Sequence, residues 1–373
     1  MKRKALSING ALLGTVQGPH PSRLSTAVQP VVSEFALLLS NRDLTRLART
    51  DKELQKNLAT LLEERLVLYT NKRTWTIKTL LMTQLPECVF HLKVVFPPTF
   101  DSDFIVKIGA ALRACDHLQD LELLCVTPET LALFPFPLCS ATLTHVKISS
   151  YSSLRDLSFL RHCCPNLQIL ELSNLDGALD LSPLVSCKAL HTVCLYNNPS
   201  LRDLSALGQC PKLHTVYLSS CAHLWDIAPL VQCANLHTLT LSRCGQLRDF
   251  GPLAQCANLQ KLTLADVTQT NTSALGLCHN LTTVCLYQCE QLTDVSALGR
   301  CSNLTTVCLS GCDALTDVSA LGQCSNLTTV CLSRCDQLTD VSAFGQCAKL
   351  TTVRVSRCRQ LPDVSSLPPC RAL

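Results

Sequence analysis

Cysteine and histidine are the chemically reactive side chains that recur at regular spacing in this sequence of 373 residues. Thiols can pair as disulfides, bind soft metal ions or act as nucleophiles, and imidazoles can bind metals or carry protons. Most of the 25 cysteines fall into three columns whose members lie one or several steps of 22 or 23 residues apart. Three histidines, His191, His214 and His237, form a fourth column with the 23-residue step.

A repeat of the same length positions these columns. The leucine that opens each unit recurs in steps of 23 residues with one step of 22, at Leu167, Leu190, Leu213, Leu236, Leu259, Leu281, Leu304, Leu327 and Leu350. A fixed period of this length indicates a solenoid. The first, fourth and sixth places of a unit are apolar, as in Leu213, Val216 and Leu218, which predicts a short strand with one buried face. Because one unit cannot bury its own apolar stripe, the strands must stack side by side.

Each cysteine column occupies one place of the unit. The pre-leucine cysteines stand three residues before the opening leucine: Cys164, Cys187, Cys210, Cys233, Cys256, Cys278, Cys301, Cys324 and Cys347. The ninth-place cysteines are Cys221, Cys244, Cys289, Cys312, Cys335 and Cys358. The fifth-place cysteines are Cys194, Cys285, Cys308 and Cys331.

The unit resembles the leucine-rich repeat. Its return segment, LTDVSALGQCSNL, is similar to the short internalin-type repeat, and its ninth-place cysteine is similar to the cysteine-containing repeats of F-box/leucine-rich repeat proteins. The resemblance implies an α/β solenoid, a horseshoe with a parallel concave sheet, short 3₁₀ or irregular convex segments and a small helical cap in front. About twelve coils are expected, which at about 4.8 Å per strand gives a sheet roughly 55 Å long.

Reduced, buried thiols are the predicted state of the pre-leucine and ninth-place cysteines. Both columns fall where a leucine-rich repeat needs a small buried side chain, and cysteine is small, mostly apolar and a weak S–H donor. The ninth-place thiols would partly replace the asparagine ladder of the family, whose asparagine remains at Asn198. Disulfides are not expected, because the chain is no small secreted scaffold. The fifth-place thiols should point out of the concave face, either as redox-sensitive groups or as ordinary surface thiols.

Charge and hydropathy limit the classes of partner. Residues 1–30 contain Lys2, Arg3, Lys4 and Arg23 without an acid, so this predicted flexible basic tail accounts for the net charge of +4. The formal charges of the rest of the chain sum to zero, which argues against nucleic acid as a partner. No stretch reaches the ~18 uninterrupted apolar residues of a membrane helix, so no membrane partner is expected. Reduced thiols predict a cytoplasmic location, with a nuclear one as the alternative.

A helical region at residues 31–85 is predicted to precede the repeats at 86–373. Leu54, Leu58, Leu62 and Leu66 recur every four residues, which predicts a helix with one apolar stripe. The stretch VVSEFALLLSNRDLTRLARTDKELQKNL resembles an F-box, although it lacks the usual leucine and the terminal tryptophan. The resemblance implies docking on a Skp-type adaptor of a cullin ubiquitin ligase. The adaptor-binding residues would be Val31, Phe35, Leu38, Leu39, Leu44 and Leu47.

Residues that contact a partner are expected on the concave face, where places two, three, five, seven and eight point. The candidates are His191, Tyr196, His214, Tyr217, His237, Arg243, Lys261, Tyr287, Arg334, Arg354 and Arg357. The histidine column lacks a carboxylate, so a solvated ladder is favoured over a metal site. The unit that opens at Leu259 is one residue short, which would either bend the array, present Lys261 and Asp266 to a partner, or be tolerated drift.

A protein–protein interaction module is therefore the predicted function. The sequence has no Gly-rich phosphate loop, no strand–turn–helix nucleophile motif and no His/Glu metal pair at helical spacing, so no enzyme, cofactor or metal is predicted. Two hypotheses remain. The chain is either an F-box-type substrate receptor of a cullin ubiquitin ligase or a scaffold in a larger, for example cytoskeletal, assembly, with residues 31–85 serving only as a cap.

Overall fold

One parallel sheet of thirteen strands, in sequence order, organises the structure, a computed structural model. The structure describes residues 66–68, 91–96, 117–127, 142–150, 157–160, 165–268 and 271–361. The strands are β1 Leu66–Leu68, β2 His91–Val95, β3 Asp120–Leu124, β4 His145–Ser149, β5 Ile169–Ser173, β6 Thr192–Tyr196, β7 Thr215–Ser219, β8 Thr238–Ser242, β9 Lys261–Ala265, β10 Thr283–Tyr287, β11 Thr306–Ser310, β12 Thr329–Ser333 and β13 Thr352–Ser356.

The alternation of apolar residues sets the register of this sheet. Equivalent places pair across neighbouring strands, so Val284 lies opposite Val307 and Leu286 opposite Leu309. The fourth- and sixth-place side chains point inward, as at Val307 and Leu309, which are both 0% exposed. A one-residue slip would move this whole set to the solvent face, so the burial pattern holds the register. The predicted leucine-rich repeat solenoid with its parallel concave sheet is confirmed.

Short turns close each coil on the convex side, as the internalin-type return segment predicts. The 3₁₀ turns are Ser182–Ser186, Ala228–Gln232, Gly251–Gln255, Ser273–Leu277, Ser296–Arg300, Ser319–Gln323 and Ser342–Gln346, and one α-helical turn, α1, covers Ser205–Gly208. Before seven of these eight turns an aspartate accepts a backbone N–H two residues on, as Asp317 Oδ1 does from Ser319 N–H at 2.7 Å. This Asp-x-Ser bond fixes the reversal of the chain.

The strand β1 corrects the helix predicted over Leu54 to Leu66. Leu66, Val67 and Leu68 pair in parallel with Leu92, Lys93 and Val94 of β2, so this end of the leucine stripe belongs to the sheet. The run Leu66–Leu68 is rich in leucine and valine and lies beside the open edge of β2. Pairing with this edge gives it main-chain hydrogen bonds, which outweigh its helical periodicity. The rest of the predicted helical region lies outside the described residues.

The shortened unit at Leu259 leaves the sheet intact. Its strand β9 pairs in register with β8 and β10, and Val267 is buried where other coils carry a cysteine. Asn271 replaces the usual aspartate and accepts the N–H of Ser273 at 2.9 Å. The missing residue is therefore taken from the return segment and not from the strand.

Sulfur atoms form two hydrogen-bonded ladders between coils, in the buried positions that the sequence predicted. Five of the six ninth-place thiols point at the sixth-place carbonyl of the preceding coil, as Cys312 Sγ does to Leu286 O at 3.7 Å. The sixth, Cys358, is half-buried instead of buried, and its Sγ lies 3.6 Å from Ser356 O of its own coil. Asn198 makes the same connection with its amide, from Nδ2 to Leu172 O at 3.1 Å. The predicted replacement of an asparagine ladder by cysteine is confirmed.

The pre-leucine thiols form the second ladder. Cys324 Sγ lies 3.4 Å from Leu298 O in the preceding coil, and the same carbonyl accepts the backbone N–H of Cys301 at 3.0 Å. The Leu298 carbonyl thus accepts hydrogen bonds from its own coil and from the next one. Burial raises the pKa of these thiols, to about 11 at Cys301 and about 12 at Cys324, so they stay protonated donors.

The eighth place of the unit adopts left-handed backbone geometry in ten of the coils, namely that of β3 and those of β5 to β13. Nine of these residues carry a side chain, among them Gln288 (φ 52°) and Arg334 (φ 53°), and the tenth is Gly311 (φ 66°). The N–H at this place donates to the seventh-place carbonyl of the next coil, as Gln288 N does to Ser310 O at 2.6 Å. These ten coils therefore tolerate a strained dihedral at the point where the chain leaves the sheet.

Candidate partner-binding face

The concave face consists of the outward-pointing third, fifth and seventh places of the strands, flanked by the second and eighth places. Along the sheet its chemistry changes in order from charged to aromatic to thiol-bearing and finally to cationic. In the part of the chain that the structure describes, no three His, Cys, Asp or Glu side chains converge on a position that could hold a metal ion. No helix of that part is long and apolar enough to span a bilayer.

A ladder of paired charges covers the N-terminal part of the face. The fifth places of β2 to β5 alternate in sign, with Lys93 Nζ at 3.1 Å from Glu122 Oε2, and Lys147 Nζ at 3.4 Å from Glu122 Oε1 and 3.5 Å from Glu171 Oε2. Opposite charges on adjacent strands stabilise the sheet. This region is internally neutralised, so it offers little net charge to a partner.

The third places of the same strands add a histidine–aspartate ladder. His91 Nδ1 lies 2.6 Å from Asp120 Oδ2, and His145 approaches Asp120 through Nδ1 at 3.8 Å and Glu171 through Nε2 at 3.5 Å. The His145 hydrogen bond lowers the pKa of Glu171 despite its burial. Burial alone would raise the pKa of Glu122, but Lys93 and Lys147 more than offset it, so this carboxylate is also held ionised.

Histidine and tyrosine rings form the middle of the face, on and beside β6 to β8. The rings of His191 and His214 stack with centroids 4.8 Å apart at 9°, and His237 meets His214 edge-on at 6.3 Å. Tyr196 is 40% exposed and Tyr217 half-buried on the adjacent strand. We call these five residues the His–Tyr patch; the patch contains no carboxylate, ammonium or guanidinium group and combines apolar ring surface with polar edges.

Burial governs the protonation of the stacked rings. It lowers the pKa of His191, and the neighbouring His214 lowers it further. The pKa of His214 is lowered in the same way, by burial and by His237. The Nδ1 atoms lie within hydrogen-bond distance of threonine hydroxyls, at 3.0 Å for Thr192 and 2.8 Å for Thr215. The stack is therefore neutral above about pH 6.5, the reference value for histidine.

Thiols and arginines complete the C-terminal part of the face. Cys285, Cys308 and Cys331 are half-buried and lie in one row across β10 to β12, and Arg354 continues the row on β13. The sequence predicted outward-pointing thiols at these three positions, and the structure confirms it. Cys194, the fourth member, is 5% exposed and so does not lie open to solvent as predicted.

A polar groove of about 420 Å³ runs beside the sheet. Asparagines that precede the opening leucines form one wall, each donating to the preceding coil, as Asn303 Nδ2 does to His279 O at 2.9 Å. Second-place threonines form the other wall, as Thr305 Oγ1 donates to Thr282 O at 2.9 Å. These side chains already form hydrogen bonds within the solenoid, so they serve mainly to connect neighbouring coils.

The remaining predicted binding residues lie apart from the His–Tyr patch. Lys261 is exposed on β9, and Tyr287 is half-buried at the end of β10. Arg243, Arg334 and Arg357 are exposed at the left-handed eighth place. The predicted adaptor-binding set lies outside the described residues: Val31, Phe35, Leu38, Leu39, Leu44 and Leu47.

Three of these exposed groups have neighbours that limit their freedom. Arg243 Nε lies 3.5 Å from Asp266 Oδ2 on the next coil, so these two groups partly neutralise each other. Arg354 stands beside Cys331 in the strand register. Arg334 donates its backbone N–H to Ser356 O at 3.0 Å. The ion pair restrains the Arg243 side chain, whereas the bond of Arg334 fixes only its backbone.

The charge ladder of β2 to β5 was not predicted from the sequence. The strands themselves were located, but the outward places were interpreted only from His191 onward. Applying the same third- and fifth-place rule to residues 89–96 and to the strands after Leu118, Leu143 and Leu167 would have found Lys93, Glu122, Lys147 and Glu171.

Comparisons with known proteins concern the architecture. No protein-family model and no curated protein matches the chain. Among solved structures, an internalin of Listeria monocytogenes is 20% identical over 70% of this chain and 82% of its own, with a TM-score of 0.49. A leucine-rich repeat protein of Leptospira interrogans is 17% identical over 74% and 78%, at 0.48. A chain of the yeast Rad7–Elc1 complex is 17% identical over 93% and 94%, at 0.49. The partner of this chain has to be inferred from its own surface.

Proposed function

We propose that this chain is a protein-binding module whose partner docks on the concave face, with the His–Tyr patch as the centre of the contact. The observation that carries the proposal is the position of this aromatic patch, which has no carboxylate, ammonium or guanidinium group, between the neutralised charge ladder and the arginine end. Protein interfaces tend to have an aromatic centre that is depleted of charge and a polar or charged rim. Tyrosine and arginine are also the residue types that most often dominate binding energy.

A pair of tyrosine truncations tests this placement. The variant Tyr196→Ala/Tyr217→Ala should weaken partner binding at least about 30-fold, the effect of losing about 2 kcal/mol at one hot spot. Trp225→Ala is the matched control, because Trp225 is 63% exposed but lies on the return segment and not on the concave face. Partners retained by the tagged full-length chain are quantified by mass spectrometry. Loss of partners in the tryptophan variant with full retention in the tyrosine variant would refute the concave site.

The finer form of the proposal is an F-box-type substrate receptor of a cullin ubiquitin ligase. Its support is the F-box resemblance of residues 31–58 and the cysteine-containing repeat. In such a receptor Leu44 and Leu47 would contact a Skp-type adaptor while the concave face holds the substrate. Substitutions at the F-box residues should then remove the adaptor without removing the concave-face partners, and substitutions on the concave face should do the reverse.

The scaffold hypothesis is the second candidate, and β1 favours it. This strand lies inside residues 31–85 and extends the sheet, so part of the region in front of the repeats serves as solenoid. A scaffold would keep its partners without any adaptor, and residues 31–85 would only close the first coil.

Two pairs of substitutions distinguish the two functions in the full-length chain. Leu44→Asp/Leu47→Asp should remove a Skp-type adaptor and cullin from the purified complex and leave concave-face partners bound, whereas Tyr196→Ala/Tyr217→Ala should do the reverse. Point substitutions are preferred to deleting residues 31–70, because that deletion would also remove β1. If neither adaptor nor cullin co-purifies with the unaltered chain while other partners do, the receptor function fails and the scaffold stands.

A further inference from the structure

Three thiols lie in one row on the concave face, separate from the His–Tyr patch. Cys285 pairs in register with Cys308, and Cys308 with Cys331, on the parallel strands β10, β11 and β12. Neighbouring strands are about 4.8 Å apart, so the sulfur atoms are brought within reach of one another. The side chain of Cys308 therefore lies between those of Cys285 and Cys331. All three side chains are half-buried and so reach solvent.

The other cysteine columns provide an internal contrast. The described pre-leucine and ninth-place thiols except Cys358 are almost fully buried, for example Cys324 at 0% and Cys312 at 0% exposure. Their S–H groups point at backbone carbonyls of the preceding coil. Cys194 is 5% exposed, and burial raises its pKa to about 12. Among the described cysteines outside the row, Cys125 is exposed and Cys358 half-buried, and neither belongs to the fifth-place column.

The surroundings of Cys331 favour its thiolate. The hydrogen bond from Cys308 and the positive charge of Arg354 outweigh burial and lower the pKa of Cys331 to about 6. The titratable or charged groups that face it are Cys308 on β11 and Arg354 on β13. The pKa of Cys285 falls to about 7, chiefly through its hydrogen bond with Cys308. Cys308, placed between two such neighbours, has a raised pKa and remains the proton donor.

We propose that Cys331 and Cys308 form an oxidisable dithiol that reacts with hydroperoxides, with Cys331 as the attacking thiolate and Cys308 as the resolving thiol. The Cys331 sulfur attacks the O–O bond and becomes a sulfenic acid, and the departing alkoxide or hydroxide takes a proton from water. The Cys308 thiol, losing its proton, then attacks the sulfenic sulfur, and water leaves. The two thiols are oxidised by two electrons to a disulfide while the hydroperoxide is reduced to an alcohol or water.

The sheet geometry makes this disulfide easy to reverse. In-register Cα atoms about 4.8 Å apart fall inside the range of disulfides, about 4.4–6.8 Å. Parallel Cβ vectors keep the Cβ atoms at nearly the same separation, above the usual 3.5–4.5 Å, so closing the bond must pull β11 and β12 together. A bond strained in this way is more readily reduced. Cys285 lies on the far side of Cys308 and can attack the Cys308 sulfur, which would move the disulfide to β10–β11 and release Cys331.

Site-resolved labelling of the full-length chain tests the proposal. The reduced protein is treated with one equivalent of hydrogen peroxide, with a sulfenic acid trap and an alkylating agent in parallel. Trypsin leaves Cys308 and Cys331 on one peptide, so cleavage before Asp313 and Asp317 is needed to separate them. Cys331 should alkylate at pH 7 at least about 100-fold faster than Cys324, the difference expected between a low-pKa thiol with solvent access and a buried one. The disulfide should join Cys308 and Cys331.

Substitutions separate the two roles. Cys308→Ser should trap the sulfenic acid at Cys331 and abolish the disulfide, Cys285→Ser/Cys331→Ser should leave Cys308 unoxidised, and Cys324→Ser, the matched control, should change neither result. Arg354→Gln should shift the pH profile of Cys331 alkylation to higher pH, a change that a structural role would not produce. If Cys125 or Cys358 oxidises first, or Cys331 alkylates no faster than Cys324, the proposal is wrong. The labelling of the unaltered protein decides this even where a variant fails to fold.

Discussion

Asn198 should contribute more to stability than any cysteine of the ninth-place column. Its Oδ1 accepts the N–H of Leu175 at 3.1 Å, and its Nδ2 donates to Leu172 O at 3.1 Å. The side chain is fully buried, so no water replaces these bonds when it is removed. The substitution Asn198→Ala therefore leaves a buried backbone N–H without its acceptor.

The magnitude follows from the two hydrogen bonds. A typical intramolecular hydrogen bond stabilises by about 1 kcal/mol, and a buried donor left unpaired costs about 1–3 kcal/mol. The expected loss in the free energy of unfolding is therefore about 2–4 kcal/mol. Cys312→Ala, the matched control, removes one weak S–H contact at 3.7 Å from the same place of another coil. Its cost should be about 1 kcal/mol, most of it lost packing.

Urea denaturation of both variants measures the difference, and hydrogen exchange of the Leu175 amide localises it. Solenoids can unfold in segments, so the exchange measurement is the more direct of the two. The Leu175 amide should exchange at least about tenfold faster in Asn198→Ala and unchanged in Cys312→Ala. Equal destabilisation of the two variants, within about 0.5 kcal/mol, would show that amide and thiol are equivalent rungs and refute the reasoning.

Three further outcomes are expected from the same assays. Gly299→Ala should cost about 1–3 kcal/mol by urea denaturation, because its new Cβ would lie 2.6 Å from a carbonyl of the next coil. Gly345→Ala, which has no atom of the described residues within 4 Å of the new Cβ, should be neutral. Gly311→Ala should lose about 1 kcal/mol at its left-handed position, and a neutral result would mean that the eighth place imposes no strain. Because the pKa values of His191 and His214 are lowered on folding, the unfolded chain binds more protons. Stability should therefore fall as the pH drops below about 6.5, a dependence that His191→Gln/His214→Gln should reduce and that a flat profile in the unaltered chain would contradict.

The periodic part of the fold could be predicted because its determinants are local and repeated. Leucine at the first and sixth places and valine or leucine at the fourth gave the strands, and Asp-x-Ser gave the turns. The burial of the pre-leucine and ninth-place thiols followed from the corner position. Each of these predictions rests on a side chain that contacts its own coil or the next one.

What could not be predicted depends on context beyond the unit. The strand at Leu66–Leu68 has helical periodicity and is extended only because the edge of β2 is there to pair with. The left-handed eighth place carries Gln288 or Arg334 as readily as Gly311, so composition gives no signal for its backbone. The low-pKa environment of Cys331 requires Arg354 at the equivalent place of the next strand, and only the register reveals that neighbour.

The one-coil reach of the side-chain hydrogen bonds has an evolutionary consequence. Asn303, Thr305 and Cys324 bond to residues 24, 23 and 26 positions earlier, always in the preceding coil. A duplicated unit would therefore contain its own hydrogen-bond donors, and the coil before it would already contain the acceptors. Unequal recombination among the near-identical units between 281 and 347 can thus add or delete whole coils without breaking the ladders. Copy number of this unit is a variable that selection can use, and each added copy lengthens the thiol-bearing stretch of the concave face by about 4.8 Å.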